Sequence, residues 1–381
     1  MNFSYQNTTQ IQFGQGQIES IKNLISKDSS VLVLYGFGSI KKNGVYDQVE
    51  AALSNYQWLE FGGIEANPTK ETLDKAVAIA KSKNIDYILA VGGGSVIDGA
   101  KYVAAASCYE GDGWDILEGK YTITKALPLG TILTLPATGS ESNANSVITK
   151  AETQDKLAFA SAYVQPVFAV MDPDVMKTLP EKQLVNGIVD AWVHVCEQYL
   201  TFPTGALVQE GYAEALLKSL KNIADNFNQQ DDMWRANLMW AANQALNGLI
   251  GLGVTQDWST HMIGHELTAL YGVDHARSLA IVQPSLLRNQ LTAKKGKLEQ
   301  MGRNVFGLSQ RDDLAELTVQ EIESFYQQLN VRTQLTEHVE TKQEAIEKII
   351  KRLQLHGMTK LGEHQAITLE ESRAILNGAV A

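Results

Sequence analysis

The chain has 381 residues, of which 44% are hydrophobic and 20% are charged, and its formal net charge is −11. This length predicts two domains, and the composition is ordinary for a globular protein. The negative balance, with no run of five like charges, argues against binding to nucleic acid or to an anionic membrane surface.

The N-terminus lacks a basic segment followed by an apolar core, so no signal peptide is expected. No stretch approaches the roughly 18 uninterrupted apolar residues of a transmembrane helix. The two cysteines, Cys108 and Cys196, provide no disulfide framework. We therefore expect a cytoplasmic protein.

Residues 1–178 predict alternating strands and helices. Apolar, β-branched runs indicate strands at 30–35, 58–61, 86–91, 131–135 and 166–170. Helical spacing of apolar residues is found at 16–26, 44–53, 69–82 and 95–106. Strands separated by helices favour a parallel sheet with crossover connections.

Beyond a boundary near 172–180, strand patterns nearly vanish. Amphipathic helices are predicted at 181–200, 206–227, 231–250, 256–270, 294–306, 312–329 and 343–355. The sequence thus predicts an α/β N-terminal domain over 1–178 and an all-α C-terminal domain over 179–381.

Two glycine loops follow predicted strands, at Gly36–Ser39 and at Gly92–Ser95. Glycine lets backbone N–H groups approach a phosphate, and the helix that follows offers its positive end. Neither loop matches the usual dinucleotide fingerprint, because Lys41 stands where a third glycine would fall, and no P-loop lysine follows either loop. A turn that is merely tight is the alternative interpretation, but we favour a nucleotide phosphate.

A third turn, over 134–143, ends a predicted strand with several hydroxyl groups, including those of Thr134, Thr138 and Ser140. Open α/β sheets bind ligands at the carboxyl ends of their strands, so these groups could bind the same ligand. Hydroxyl-rich turns also cap helices, which is the structural alternative.

Two pairs of residues four apart share a helix face: Asp190 with His194, and His261 with His265. His275 lies fourteen residues after His261, about 21 Å away along a straight helix, which is too far for one ion to bind both. Gly272 follows an apolar helical run and predicts a helix stop, so the chain can turn and bring His275 back. Together, Asp190, His194, His261 and His275 offer one oxygen ligand and three nitrogen ligands, a combination that suits Zn²⁺ or Fe²⁺ better than Ca²⁺.

With these motifs the chain resembles the iron-containing (group III) alcohol dehydrogenases over essentially its whole length, most closely the NADPH-dependent butanol dehydrogenases and broad-range aldehyde reductases. The resemblance implies a Rossmann-like domain and a helical domain in the dehydroquinate synthase-like architecture, with the active site in the cleft between them. It implies one divalent metal, Fe²⁺ or Zn²⁺, bound by Asp190, His194, His261 and His275. His265 matches the family histidine near the nicotinamide and is the candidate catalytic residue.

The implied reaction is the reversible reduction of aldehydes to primary alcohols, in which the metal polarises the substrate oxygen. NAD-specific relatives tend to carry an acidic residue near the position of Gly38, so we predict NADP(H), with Lys41 and Lys42 as nearby cations. Relatives are often dimers, and we expect a homodimer. The predicted cofactor-binding residues are Gly38, Ser39, Asn67, Gly93, Gly94, Ser95, Asp98, Thr134, Thr138, Ser140 and Lys156.

Two other interpretations remain open at this point. Glycerol and polyol dehydrogenases, and dehydroquinate synthases, share the architecture. From a different class, His261-x-x-x-His265 could suggest a metallopeptidase, but Met262 stands where the glutamate base should follow the first histidine.

Overall fold

A computed structural model describes residues 1–337 and 341–379. Contacts divide the chain into two compact units. The sheet unit comprises Gln6–Glu181 and Asp231–Asn243, and the helical unit comprises Met1–Tyr5, Lys182–Gln230 and Gln244–Ala381. The predicted division at residues 178 and 179 therefore differs from these units in two short segments: Met1–Tyr5 belongs to the helical unit, and Asp231–Asn243 belongs to the sheet unit.

The described residues form ten strands: β1 (Gln10–Phe13), β2 (Ser30–Tyr35), β3 (Gln57–Phe61), β4 (Tyr87–Gly93), β5 (Leu129–Leu135), β6 (Asn145–Lys150), β7 (Asp155–Ala160), β8 (Phe168–Met171), β9 (Lys360–Leu361) and β10 (Ile367–Thr368). Six make one parallel sheet in the order β1-β8-β5-β4-β2-β3. The parallel sheet expected from the alternating pattern is confirmed.

The helices of these residues are α1 (Val45–Ala52), α2 (Lys70–Ser82), α3 (Gly94–Ala106), α4 (Trp114–Leu117), α5 (Glu181–Tyr199), α6 (Leu207–Asp225), α7 (Asp232–Ala245), α8 (Ser259–Tyr271), α9 (His275–Asn289), α10 (Leu291–Asn304), α11 (Leu314–Gln328), α12 (Lys342–Leu355) and α13 (Leu369–Gly378). None combines the length and hydropathy that a bilayer-spanning segment requires.

The order of the sheet reverses between β2 and β4. The chain leaves β2, forms β3 on one side, and then returns through α2 to place β4 on the other side. Adjacent strands with connections running in opposite directions leave a crevice at their carboxyl ends. Both predicted glycine loops, after β2 and after β4, therefore lie at this crevice.

Several sequence predictions need correction. The segment predicted as a helix over 16–26 forms a 3₁₀ helix at Gln17–Asn23. Strand β1 and the antiparallel pair β6–β7 were not predicted, because each is short and half-exposed and so lacks a long apolar run. Helix α9 was not predicted either, since it contains Pro284, which normally predicts a helix break.

The helical unit is nearly all α, as predicted. Among its described residues, the strands are the two-residue antiparallel pair β9–β10, which directly precedes α13. Fully buried side chains such as Trp192 on α5, Leu279 on α9 and Tyr326 on α11 form its core. Trp192 stacks on Phe325 with ring centroids 4.1 Å apart.

Candidate functional site

Three helices of the helical unit bring the predicted metal ligands together. Helix α5 carries Asp190 and His194 one turn apart, and each is only 3% exposed. Helix α8 carries His261 and ends at Tyr271, and the next residue, Gly272, has a φ of 64° in the left-handed region that favours glycine. The chain reverses there, and His275 is the first residue of α9. The turn predicted between His261 and His275 is confirmed.

Asp190 Oδ1 is the atom that the three imidazoles share as a neighbour. Asp190 Oδ1 lies 3.5 Å from His275 Nε2, 3.6 Å from His194 Nε2 and 3.8 Å from His261 Nε2. Ligand atoms of Asp190, His261 and His275 all lie within 4.8 Å of one another. Metal–ligand bonds of about 2.1 Å in a tetrahedron separate ligand atoms by roughly 3.4 Å, close to these distances.

The cluster also contains polar atoms that the protein does not satisfy. Within the described residues, Asp190 Oδ1 and His261 Nε2 are buried and have no hydrogen-bond partner. A buried polar atom without a partner costs about 1–3 kcal/mol, and a ligand that binds the atom would offset this cost. One carboxylate and three imidazoles are ligands for Zn²⁺ or Fe²⁺, and the residues therefore fit a divalent metal.

The ionisable groups of the cluster shift the pKa values of one another. Burial opposes ionisation of Asp190, but the imidazoles of His194, His261 and His275 hold the pKa of its carboxyl well below the usual range. Burial disfavours the charged ring of His261, but the Glu197 carboxylate, followed by Asp190, raises the pKa of His261 to about 9. The site thus keeps a carboxylate ionised in a buried setting, as a cation ligand requires.

His265 lies next to the cluster on α8 and is buried. Its ring centroid is 5.2 Å from that of His275 and 5.9 Å from that of His261. The structure therefore places His265 beside the candidate ligands, and its catalytic role stays a prediction.

Glu197 is a residue of this cluster that the sequence analysis missed. Its Oε1 accepts hydrogen bonds from the backbone N–H groups of Thr260 and His261, at 2.6 and 3.2 Å, and its Oε2 contacts His261 Nδ1. The signal was present in the sequence, because positions 190, 194 and 197 have the spacing of one helix face.

In the sheet unit, the loop after β2 leaves space at Gly38. Gly38 has φ 90°, and no atom lies within 4 Å of the position that a Cβ would take. The next residue, Ser39, begins a short 3₁₀ helix. The predicted cation Lys41 is engaged elsewhere: its Nζ lies 2.9 Å from Glu60 Oε1 and packs over the rings of Tyr35 and Tyr46. Its availability to a 2′-phosphate is therefore smaller than expected.

Strand β4 ends at Gly93 and α3 begins at Gly94, so the predicted glycine loop is a direct junction between strand and helix. A Cβ on Gly93 would lie 2.9 Å from Leu135 Cβ, and one on Gly94 would lie 2.6 Å from Thr138 Oγ1. These glycines allow the three segments to pack tightly. They also leave the first N–H groups of α3 without a side-chain cap, as a phosphate site requires.

Other predicted cofactor residues adjoin this helix start. Ser95 Oγ accepts the Asn67 N–H at 3.3 Å, and Lys156 Nζ donates to Asn67 Oδ1 at 2.9 Å. Ser140 Oγ donates to Asp98 Oδ1 at 2.5 Å, and Thr134 lies near the carboxyl end of β5. The structure thus brings these residues to one end of the sheet, and their contacts to a cofactor stay predictions.

Lys101 was also missed, although it organises this region. Its side chain is fully buried, and its Nζ donates to Ser140 Oγ at 2.7 Å, to Asn143 Oδ1 at 3.1 Å and to the Asn145 carbonyl at 2.6 Å. Burial lowers the pKa of Lys101 to about 8, partly offset by Asp98 and Glu141. A lysine within a helix normally indicates a solvated face, so its spacing gave no signal.

Comparisons with known proteins agree with this geometry. The family model described as iron-containing alcohol dehydrogenase matches residues 8–173, and the model of the C-terminal region of Fe-containing alcohol dehydrogenases matches 184–380. The chain is 48% identical to the NADPH-dependent aldehyde reductase YqhD of Escherichia coli K12, covering 99% of each chain.

Solved structures of the same family are similar to this chain over nearly its whole length. The crystal structure of E. coli K-12 YqhD is similar with a TM-score of 0.97 at 47% identity, covering 99% of this chain and 98% of that one. A structure named NADH-dependent butanol dehydrogenase A from Thermotoga maritima is similar with a TM-score of 0.94 at 35% identity, covering 100% and 99%.

Proposed function

Because this chain belongs to the iron-containing alcohol dehydrogenase family, we propose that it reduces aldehydes to primary alcohols with NADPH and catalyses the reverse reaction with NADP⁺. The observation that carries the proposal is the convergence of Asp190, His194, His261 and His275, where Asp190 Oδ1 and His261 Nε2 have no hydrogen-bond partner among the residues that the structure describes. One bound cation would engage both atoms.

The four side chains would hold one divalent cation, Fe²⁺ or Zn²⁺, which supplies Lewis-acid chemistry at the substrate oxygen when bound. Asp190 contributes the negative charge, and the three imidazoles complete the donor set. His265 adjoins two of these rings and is our candidate for the residue that holds or moves a proton near the reacting atoms.

NADP(H) is proposed as the cofactor, with its phosphates at the N-terminus of α3 and its 2′-phosphate near Gly38 and Ser39. The open space at Gly38 supports this choice, as does the name of the 48%-identical E. coli relative. Relatives at 35–38% identity are named NADH-dependent, so the preference must be measured.

The decisive experiment follows the loss of NADPH absorbance with a series of aliphatic and aromatic aldehydes. Metal analysis of the same sample measures Fe and Zn. We expect turnover that is lost on chelation and restored by one equivalent of metal per chain. Full turnover of the chelated protein would contradict the proposal.

We also propose a cytoplasmic homodimer. Strand β1 lies at the edge of the sheet. Its last residue, Phe13, packs edge to face on Trp240 with ring centroids 5.6 Å apart, and both side chains remain about two-fifths exposed. An exposed edge strand presents unpaired backbone N–H and C=O groups, and these favour pairing with a second copy of the chain. Light scattering of wild type and Phe13→Lys tests this, since a dimer through β1 should dissociate in the variant.

A further inference from the structure

Glu197 is a buried carboxylate that joins two of the helices of the candidate metal centre. It lies on α5, seven residues after Asp190, and is 5% exposed. Its Oε1 accepts the N–H groups of Thr260 and His261 in the first turn of α8, where the positive end of the helix dipole favours an anion. Glu197 thus fixes the start of α8 against α5.

The second oxygen of Glu197 acts on the ring of His261. Oε2 is an acceptor, so the His261 Nδ1 that contacts it carries the proton. In the neutral ring the lone pair then lies on Nε2, the atom that is buried beside Asp190 Oδ1 without a partner in the described residues. The other tautomer would point an N–H at the place where a cation binds.

We propose that Glu197 is a positioning residue of the metal centre: it fixes the tautomer and orientation of His261 so that Nε2 faces the cation. This inference rests on the proposed metal-dependent function. Carboxylates bonded to ligand histidines raise metal affinity by about 10–100-fold in other proteins.

A matched control lies on α8 itself. Glu266 is 3% exposed, its Oε1 lies 2.6 Å from His356 Nδ1, and its Oε2 accepts from Arg352 Nε at 3.1 Å. It is thus another buried carboxylate bonded to an imidazole, but that imidazole is not a candidate ligand. Glu266→Gln therefore reports the general cost of neutralising such a group.

The test measures Zn²⁺ affinity of the full chain by chelator competition for wild type, Glu197→Gln and Glu266→Gln. Glutamine keeps an oxygen for the α8 N–H groups, but its amide would donate to Nδ1 and reverse the tautomer. We expect Glu197→Gln to lose about 10–100-fold in Zn²⁺ affinity and Glu266→Gln to lose less than about threefold. Equal affinities of Glu197→Gln and wild type would overturn the inference.

A second measurement needs no stable variant. In ¹⁵N spectra of histidine-labelled wild type with Zn²⁺, the His261 signal should show a protonated Nδ1 and a metal-bound Nε2. Zn²⁺ bound through Nδ1 would overturn the inference even if Glu197→Gln does not fold. Failure of wild type to bind stoichiometric Zn²⁺ would instead contradict the proposed function.

Discussion

Two buried polar clusters in this protein differ in how completely the protein satisfies them. In the sheet unit, Lys101 Nζ donates all three of its hydrogens, and both oxygens of Asp98 accept, from Ser140 Oγ and from the Val147 N–H. In the helical unit, Asp190 Oδ1 and His261 Nε2 lie buried without partners within the described residues. Lys101, Asp190 and His261 are all buried, while His275 at the rim of the second cluster is 26% exposed.

The difference separates a scaffold from a binding site. A buried network whose members satisfy one another holds segments in place, and removing one member leaves the others uncompensated. In the second kind of cluster, converging oxygen and nitrogen atoms have lone pairs without a partner, and the surrounding fold must hold these atoms together. A ligand is expected to complete such a cluster. Enzyme activity, stability and cofactor choice each test this contrast.

Removing a ligand should abolish catalysis and spare the fold. We expect His275→Ala to lose at least about 1,000-fold in kcat/KM, because metal assistance contributes several kcal/mol to such reactions. The free energy of unfolding should change by less than about 1 kcal/mol, since the side chain is 26% exposed. Enzyme kinetics, metal analysis and urea unfolding measure these effects. The exposed His364 provides the control, and His364→Ala should resemble wild type.

Removing the centre of the satisfied network should have the opposite effect. We expect Lys101→Met to lower the free energy of unfolding by about 3–5 kcal/mol, because three acceptors and Asp98 lose their buried cation. Urea unfolding measures this. Lys125→Met, at an exposed position, should change it by less than about 0.5 kcal/mol. An unchanged stability of Lys101→Met would contradict the structural role.

The same lysine predicts a pH dependence. Because its folded pKa of about 8 lies below the ordinary 10.5, the unfolded chain binds a proton that the folded chain has lost between these values. The contribution of Lys101 to the free energy of unfolding should therefore rise with pH across this window, on the order of 2 kcal/mol. The difference between wild type and Lys101→Met, measured by urea unfolding from pH 7 to about 10, isolates it. A difference that falls with pH would show the wrong sign.

The smallest expected effect concerns the cofactor. We expect Gly38→Asp to lower the ratio of kcat/KM with NADPH to kcat/KM with NADH by about 10–100-fold. The new carboxylate should repel the 2′-phosphate of NADPH by roughly 1.4–2.7 kcal/mol. Gly38→Asn has the same shape and the same positive φ without the charge. If the two variants changed the preference equally, backbone strain and not charge would be responsible.

Much of the candidate metal centre could be predicted because its signals are local. The four-residue spacing of Asp190 and His194 depends only on helix periodicity, and the return of His275 depends on Gly272 ending α8. Helix α9 was missed because Pro284 contradicts the local rule, although packing against α8 and α11 stabilises it as a helix.

The sequence by itself determined most of the succession of strands and helices, the glycine turns at the strand ends and the four candidate ligands. The tertiary structure alone decided that Glu197 reaches His261, 64 residues away, that Lys101 reaches Asn143, 42 residues away, and that Lys41 binds Glu60. Periodicity arises from neighbouring residues, whereas the partner of a buried charge is chosen by packing among distant segments, and no local pattern encodes it.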